Sequence, residues 1–154
     1  CQRVFSFIKK NCSNKIPNSK KFIETDYKLL NNLKDSIPNL IALIDNQNLN
    51  EYIKIIVNFS FEANKYFNDS EPWAVKKKDP ERMKVILFTI CEQIKNISIL
   101  LNAIIPYSTE KVLDTMNINK QNRTISDINN LDCFDYNKEL KNLKILFNKI
   151  ENDH

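Results

Sequence analysis

Glycine is absent from all 154 residues of this chain. Dinucleotide-binding turns and P-loops need glycine wherever backbone must approach a phosphate or adopt a positive φ. Neither site can be built within this sequence. Tight hairpin turns lean on glycine for the same reason, so its absence favours helices over sheet. Histidine is almost as scarce, the single example being the last residue, His154. No serine, cysteine or lysine sits in a recognisable nucleophile setting, and no catalytic residue is assigned. The four cysteines, Cys1, Cys12, Cys91 and Cys133, are scattered and form no C-x-x-C pair. That spacing offers no metal site. It suits reduced thiols acting as small apolar side chains in a cytoplasmic protein.

Long apolar runs are missing too. Nothing approaches the ~20 residues a membrane-spanning helix needs, so no membrane partner is expected. A basic-then-apolar leader is also absent. The chain starts Cys1-Gln2-Arg3-Val4-Phe5 rather than with methionine, and is expected to be a piece of a longer protein.

What is present suits one helical domain. Hydrophobic residues make up 42% and charged residues 27%, enough apolar surface for a real core at this length. The formal net charge, 23 minus 19, is +4. Such a surplus permits a polyanionic partner without demanding one.

Apolar spacings of three and four mark the elements. Val4, Phe5, Ile8 and Cys12 predict a helix over 1–12, followed by a polar loop with Pro17. Leu29, Leu30, Leu33, Ile37, Leu40, Ile41 and Ile44 predict one helix from about Glu24 to Asp45, capped by Thr25 or Asp26 and kinked at Pro38. Tyr52, Ile55, Ile56, Phe59, Ala63 and Tyr66 predict a third helix over 49–67, stopped by Pro72. Asp79 and Pro80 suit the cap and first turn of the longest helix. Its stripe is Ile86, Leu87, Ile90, Ile94, Ile97, Leu100 and Leu101, and Pro106 interrupts it. A short helix follows through Val112, Leu113 and Met116. Residues 117–137 read as irregular, and 139–150 as partly helical or extended. The expected fold class is all-α: an antiparallel helix bundle over 1–118 with a less regular tail over 119–154.

The only tryptophan, Trp73, follows Pro72 at the break between two helices, with Lys76, Lys77 and Lys78 just after. An indole at a rigid corner offers a flat face on which an unpaired base can stack. The lysines can meet neighbouring phosphates. The plainer reading has Trp73 pinning the corner to the core beside a solvated lysine stretch. Arg3, Asn64 and Tyr66, taken alone, read as surface, polar edge and core. The acidic pairs Asp132/Asp135 and Asp79/Glu81 read as solvated surface.

The run Ala63-Asn64-Lys65-Tyr66-Phe67, then Pro72-Trp73, a lysine-bearing segment and a long helix ending at a proline, resembles the anticodon-binding domain of methionyl-tRNA synthetases. Cys1-Gln2-Arg3-Val4, Phe7-Ile8 and the Asn-rich loop to Ile16-Pro17 look like that domain's first helix. Ile99-Leu100-Leu101 through Ile104-Ile105-Pro106 resembles its helix-to-proline step, and Leu146-Phe147-Asn148-Lys149-Ile150-Glu151 its closing tail. The helix pattern alone would also fit the class I synthetases for leucine, isoleucine, valine or cysteine. A helical protein-interaction domain without an RNA role is the other alternative.

The resemblance implies that Trp73, on the corner made by Pro72, stacks on an anticodon base. It implies that Arg3, together with asparagines, reads the first anticodon base. The family's asparagine one turn before Arg3 would precede residue 1. Asn64 matches a family position that either reads a base or braces the corner. The implied partners are the anticodon loop of tRNA-Met and a catalytic domain of the same parent chain, against which 119–154 would pack. That domain would bring ATP, a zinc knuckle and the charging of tRNA with methionine. The piece by itself would not be catalytic.

Overall fold

The computed structural model describes residues 1–142. Among them are seven α-helices and no strand: α1 (Gln2–Asn11), α2 (Glu24–Asp35), α3 (Ile37–Asp45), α4 (Leu49–Ser70), α5 (Pro72–Lys78), α6 (Pro80–Leu101) and α7 (Pro106–Thr115). Two 3-10 turns follow, Lys120–Asn122 and Ile125–Asp127. The tail motif at 146–151 lies outside the described residues.

α6 is the axis of the bundle. Its predicted stripe is buried or half-buried, and so is almost all the rest of its surface from Met83 to Leu100. Helices α1, α2, α4, α5 and α7 and the second 3-10 turn all pack against it. Asp79 caps it by accepting from the Arg82 amide at 3.1 Å, and Pro80 occupies its first turn, where a missing N–H costs nothing.

The single helix expected over 24–45 is two helices, α2 and α3, divided at Ser36. Pro38 sits in the first turn of α3. Its ring would clash with the carbonyl of residue 34 if the helix ran through, so the chain breaks instead of kinking. The Ser36 hydroxyl donates to the Leu33 carbonyl at 2.6 Å and closes the end of α2. The expected caps of α2 also shift. Ile23 precedes the first turn, and Asp26, three residues on, accepts from the Ile23 amide at 2.9 Å. The third predicted helix extends further than expected, to Ser70, which makes α4 as long as α6. The lysine stretch after Trp73 is itself helical, as α5.

Positive φ falls on Ser13, Asn14, Gln47, Glu71, Asn117 and Asn129. In a chain without glycine, asparagine supplies three of these positions, because its short polar side chain tolerates the left-handed region. Asn14, Asn117 and Asn129 then use their amides to tie the irregular segments down. Asn14 donates to the Leu140 carbonyl, Asn117 to that of Glu139 and Asn129 to that of Leu30.

Residues 118–140 lie against the helices, with Ile118, Ile128, Cys133, Phe134 and Leu140 buried. Two backbone bonds fasten the end of this stretch, Leu140 N–H to the Asn14 carbonyl at 2.7 Å and Lys141 N–H to that of Thr115 at 3.0 Å.

Candidate nucleic-acid interface

Pro72 builds the corner. It restricts the residue before it from the right-handed helical region, and Glu71 turns into the left-handed one, φ 46° and ψ 58°. That single residue ends α4 and starts α5. Pro72 itself is buried, and the Trp73 side chain follows on the first turn of α5.

Trp73 keeps 39% of its surface in solvent, so the indole is neither a core residue nor a loose one. Phe67, on the last turns of α4 and only 3% exposed, meets it edge to face, with ring centroids 5.8 Å apart at 66°. Phe7 of α1 packs the same way on Phe67, at 6.4 Å and 87°. The aromatic row Phe7–Phe67–Trp73 is thus anchored by its buried middle ring, with a partly buried Phe7 on one side and the more open Trp73 on the other.

Arg3, on α1, comes to this corner. Its guanidinium lies 4.9 Å from the Phe67 ring centre and 5.5 Å from that of Trp73. A cation at these distances is drawn to the ring faces. One of its nitrogens donates to the Asn68 side-chain oxygen. A guanidinium has five N–H donors, so most of the fork is unused by the described residues. The sequence thus names two residues that the fold brings together from 70 positions apart, Arg3 and Trp73.

Asn64, exposed on α4, lines the same cleft as Arg3. This cleft, of about 310 Å³, lies between α1, α4, α6 and α7, with Val4, Ala63, Ile94 and Val112 among its apolar walls. Asn64 is distinct from Asn68, which makes the contact with Arg3 one helical turn later.

The three lysines separate in their roles. Lys76 donates to the Asn11 side chain at 3.1 Å and stands 5.9 Å from the Phe7 ring centre, so it braces α5 against α1. Lys77 and Lys78 are exposed and make no ion pair or hydrogen bond with the described residues.

Behind the corner, a buried network fixes α4. The Tyr66 hydroxyl donates to Asp26 at 2.5 Å, and Arg82 donates to both oxygens of Asp26 at 2.6 and 3.0 Å. Burial pushes the Asp26 carboxyl up, but the hydrogen bonds from Arg82, Tyr66 and the Ile23 amide outweigh it and hold the group below the usual carboxylate range. Burial and the neighbouring Asp26 push the Tyr66 phenol up. Helices α2, α4 and α6 are locked at one point, just before the turn that carries Trp73.

Two residues of this corner escaped the sequence reading, Asn68 and Asn11, and Phe67 stands in the quoted motif without a role. Asn68 falls one turn after Asn64, so helical spacing from the quoted motif could have found it. Asn11 had no sequence signal, because its partner lies 65 residues away. Among the described residues no group of His, Cys, Asp or Glu is arranged to hold a metal ion. None of the described helices is long and apolar enough to cross a membrane.

A helical bundle presenting an aromatic and a cation at one open corner is an architecture for gripping unpaired bases. Known proteins identify the class to which the chain belongs. The model for the anticodon binding domain of methionyl tRNA ligase matches residues 16–154, and the chain belongs to that family. Methionine–tRNA ligase of Brucella suis biovar 1 (strain 1330) is 34% identical over 127 residues, covering 82% of this chain and 25% of that protein. The Rickettsia felis enzyme of the same name is 35% identical over 125 residues, covering 79% and 24%. The chain therefore spans about a quarter of the length of these relatives. The Mycobacterium tuberculosis methionyl-tRNA synthetase in its apo form superimposes with a TM-score of 0.85 over 96% of this chain and 30% of its own. At 24% identity that likeness shows the shared fold. The same enzyme bound by methionyl-adenylate aligns with a TM-score of 0.78 at 26% identity, over 83% of this chain and 26% of its own.

Proposed function

We propose that this domain recognises the anticodon loop of tRNA-Met, with Trp73 as the stacking platform and Arg3 as the reader of the first anticodon base. The observation that carries the reading is the Phe67–Trp73–Arg3 corner: an indole braced edge-on from the core, half open to solvent, with an under-used guanidinium beside it. A base on the open indole face brings its Watson–Crick edge within range of donors that Arg3 does not spend on Asn68. Sequence-specific RNA recognition works in this way, by stacking an unpaired base and bonding its edge. Pro72 sets the corner. Asn64 supplies a second amide beside Arg3 in the cleft, and Lys77 and Lys78 offer charge to the RNA backbone, while Lys76 acts mainly as a strut.

The parent protein, on this reading, is a cytoplasmic methionine–tRNA ligase. Its catalytic part binds ATP, carries a zinc knuckle and charges tRNA-Met. Residues 1–118 serve as the anticodon-binding bundle, and 119–154, which cover its helices as far as residue 140, pack back toward that catalytic part. Tryptophan fluorescence tests the reading directly. An anticodon stem-loop carrying CAU quenches Trp73 emission, and a scrambled loop does so much less. Unchanged emission, or equal response to both loops, refutes it.

A further inference from the structure

We propose that Lys10 and Lys77 form a phosphate track leading the RNA strand away from the base held at Trp73, an inference that rests on the anticodon reading above. Helices α1 and α5 together carry Arg3, Lys9, Lys10, Lys76, Lys77 and Lys78 and no acidic side chain. Across the whole chain 23 cationic residues are nearly balanced by 19 acidic ones, so this pair of helices is a local concentration of one sign. The pair is also joined at both ends of the track. Arg3 reaches Trp73 at the start of α5, and Lys76 reaches Asn11 at the end of α1.

Helix geometry singles out Lys10 and Lys77. Seven residues advance an α-helix by nearly two turns, so Lys10 stands within roughly 20° of Arg3 and about 10 Å further along the axis of α1. The opposite face of α1, Val4, Phe5 and Ile8, is buried. Lys77 lies four residues after Trp73, and therefore on the same face of α5. Both lysines are exposed, and neither makes a hydrogen bond or ion pair with the described residues. The other cations of the patch are differently placed. Arg3 is engaged at the base platform and Lys76 is held by Asn11 and Phe7, while Lys9 lies roughly 120° round α1 from Arg3 and Lys78 roughly 140° round α5 from Trp73. Two uncommitted ammonium groups on the same side of the base platform suit a sequence-independent grip on the strand that leads from it.

A position in the last turn of α1 also lets Lys10 complement the helix dipole, which is a folding role. Salt dependence separates the two. The 154-residue chain is titrated with the CAU stem-loop and a scrambled loop at several salt concentrations, following Trp73 emission and RNA anisotropy. Lys10→Ala and Lys77→Ala each lower the slope of log affinity against log salt by about 0.7, one phosphate contact on a single strand. They weaken both loops by the same factor, and Lys10→Arg restores the slope. Lys54→Ala, on the outer side of α4 beside Phe61, leaves it unchanged. Slopes equal to the unmutated chain, with CAU-specific quenching intact, overturn the track and leave the anticodon reading standing. Lower slopes with equal, unquenched binding of both loops make Lys10 and Lys77 phosphate contacts of some other RNA path, and overturn both the anticodon reading and the track from Trp73. Absence of any RNA binding overturns both.

Discussion

For the proposed stacking, what matters about Trp73 is that it is only partly buried. A wholly buried indole would stabilise the corner and offer nothing to a ligand. A wholly exposed one would have no fixed orientation. Phe67 on one side and solvent on the other give a rigid ring with a usable face. Trp73→Ala is expected to cost about 1–3 kcal/mol of anticodon binding while far-ultraviolet circular dichroism stays unchanged. A large loss of helicity would instead make the indole a structural pin. Arg3→Ala should relax discrimination at one anticodon base more than it lowers the melting temperature, which binding to loops varied at that base will show. Asn68 acts through Arg3: its amide oxygen holds the guanidinium in place. Asn68→Ala should therefore blunt the same discrimination with less loss of overall affinity than Arg3→Ala.

At the scale of elements, the corner depends on where α4 ends, and that depends on the Asp26 network. Asp26 is fully buried, and the Arg82 side chain retains 20% exposure. Removing the cation strands a buried carboxylate, and Arg82→Ala should destabilise the fold by roughly 3 kcal/mol, read from denaturant midpoints. The pH dependence has a definite sign. The Asp26 carboxyl is held below its ordinary value, so its contribution is present above the ordinary carboxylate range. It is lost as pH falls through the lowered value. Asp26→Asn should flatten that acid limb of the stability curve. The same network explains why α2 matters to a site it never touches: it supplies the anion that Tyr66 and Arg82 share.

At the scale of the molecule, α6 carries a polar surprise. Glu92, Gln93, Lys95 and Asn96 look like a solvent-facing stripe and are all buried. The irregular segment after α7 covers Lys95 and Asn96, and α2 meets Gln93 through the Leu29 carbonyl. Lys95 stands 2.8 Å from Glu92 and donates to the Asn130 carbonyl, while Asn96 pairs with Asn129. Burial pushes the Glu92 carboxyl up to about 7, against the pull of Lys95 and of the more distant Lys20. A group raised in the folded state stabilises most when protonated. Its contribution is complete below the ordinary glutamate range and is lost as pH rises through about 7. Glu92→Gln should abolish that part of the pH dependence, measured as the difference in denaturation midpoint between pH 5 and pH 8. The expected result is a smaller difference in the variant than in the unmutated chain.

The sequence by itself determined the helical class, the long helices with their proline-marked ends and the Pro72-Trp73 motif, but not the short α5. Helical spacing, capping and the want of glycine are local properties, written within a few residues of one another. Those same local rules could not separate a kink from a break at Ser36, since both obey the clash at Pro38. They could not show that Lys76 is spent on Asn11, or that Glu92 and Lys95 are inside, because polar side chains read as exposed until a partner covers them. Only the tertiary structure decided that Arg3 lies over Phe67 and Trp73, across 70 residues of chain. It did so because burying one face of α1, α4 and α5 against the same central helix leaves their remaining faces side by side.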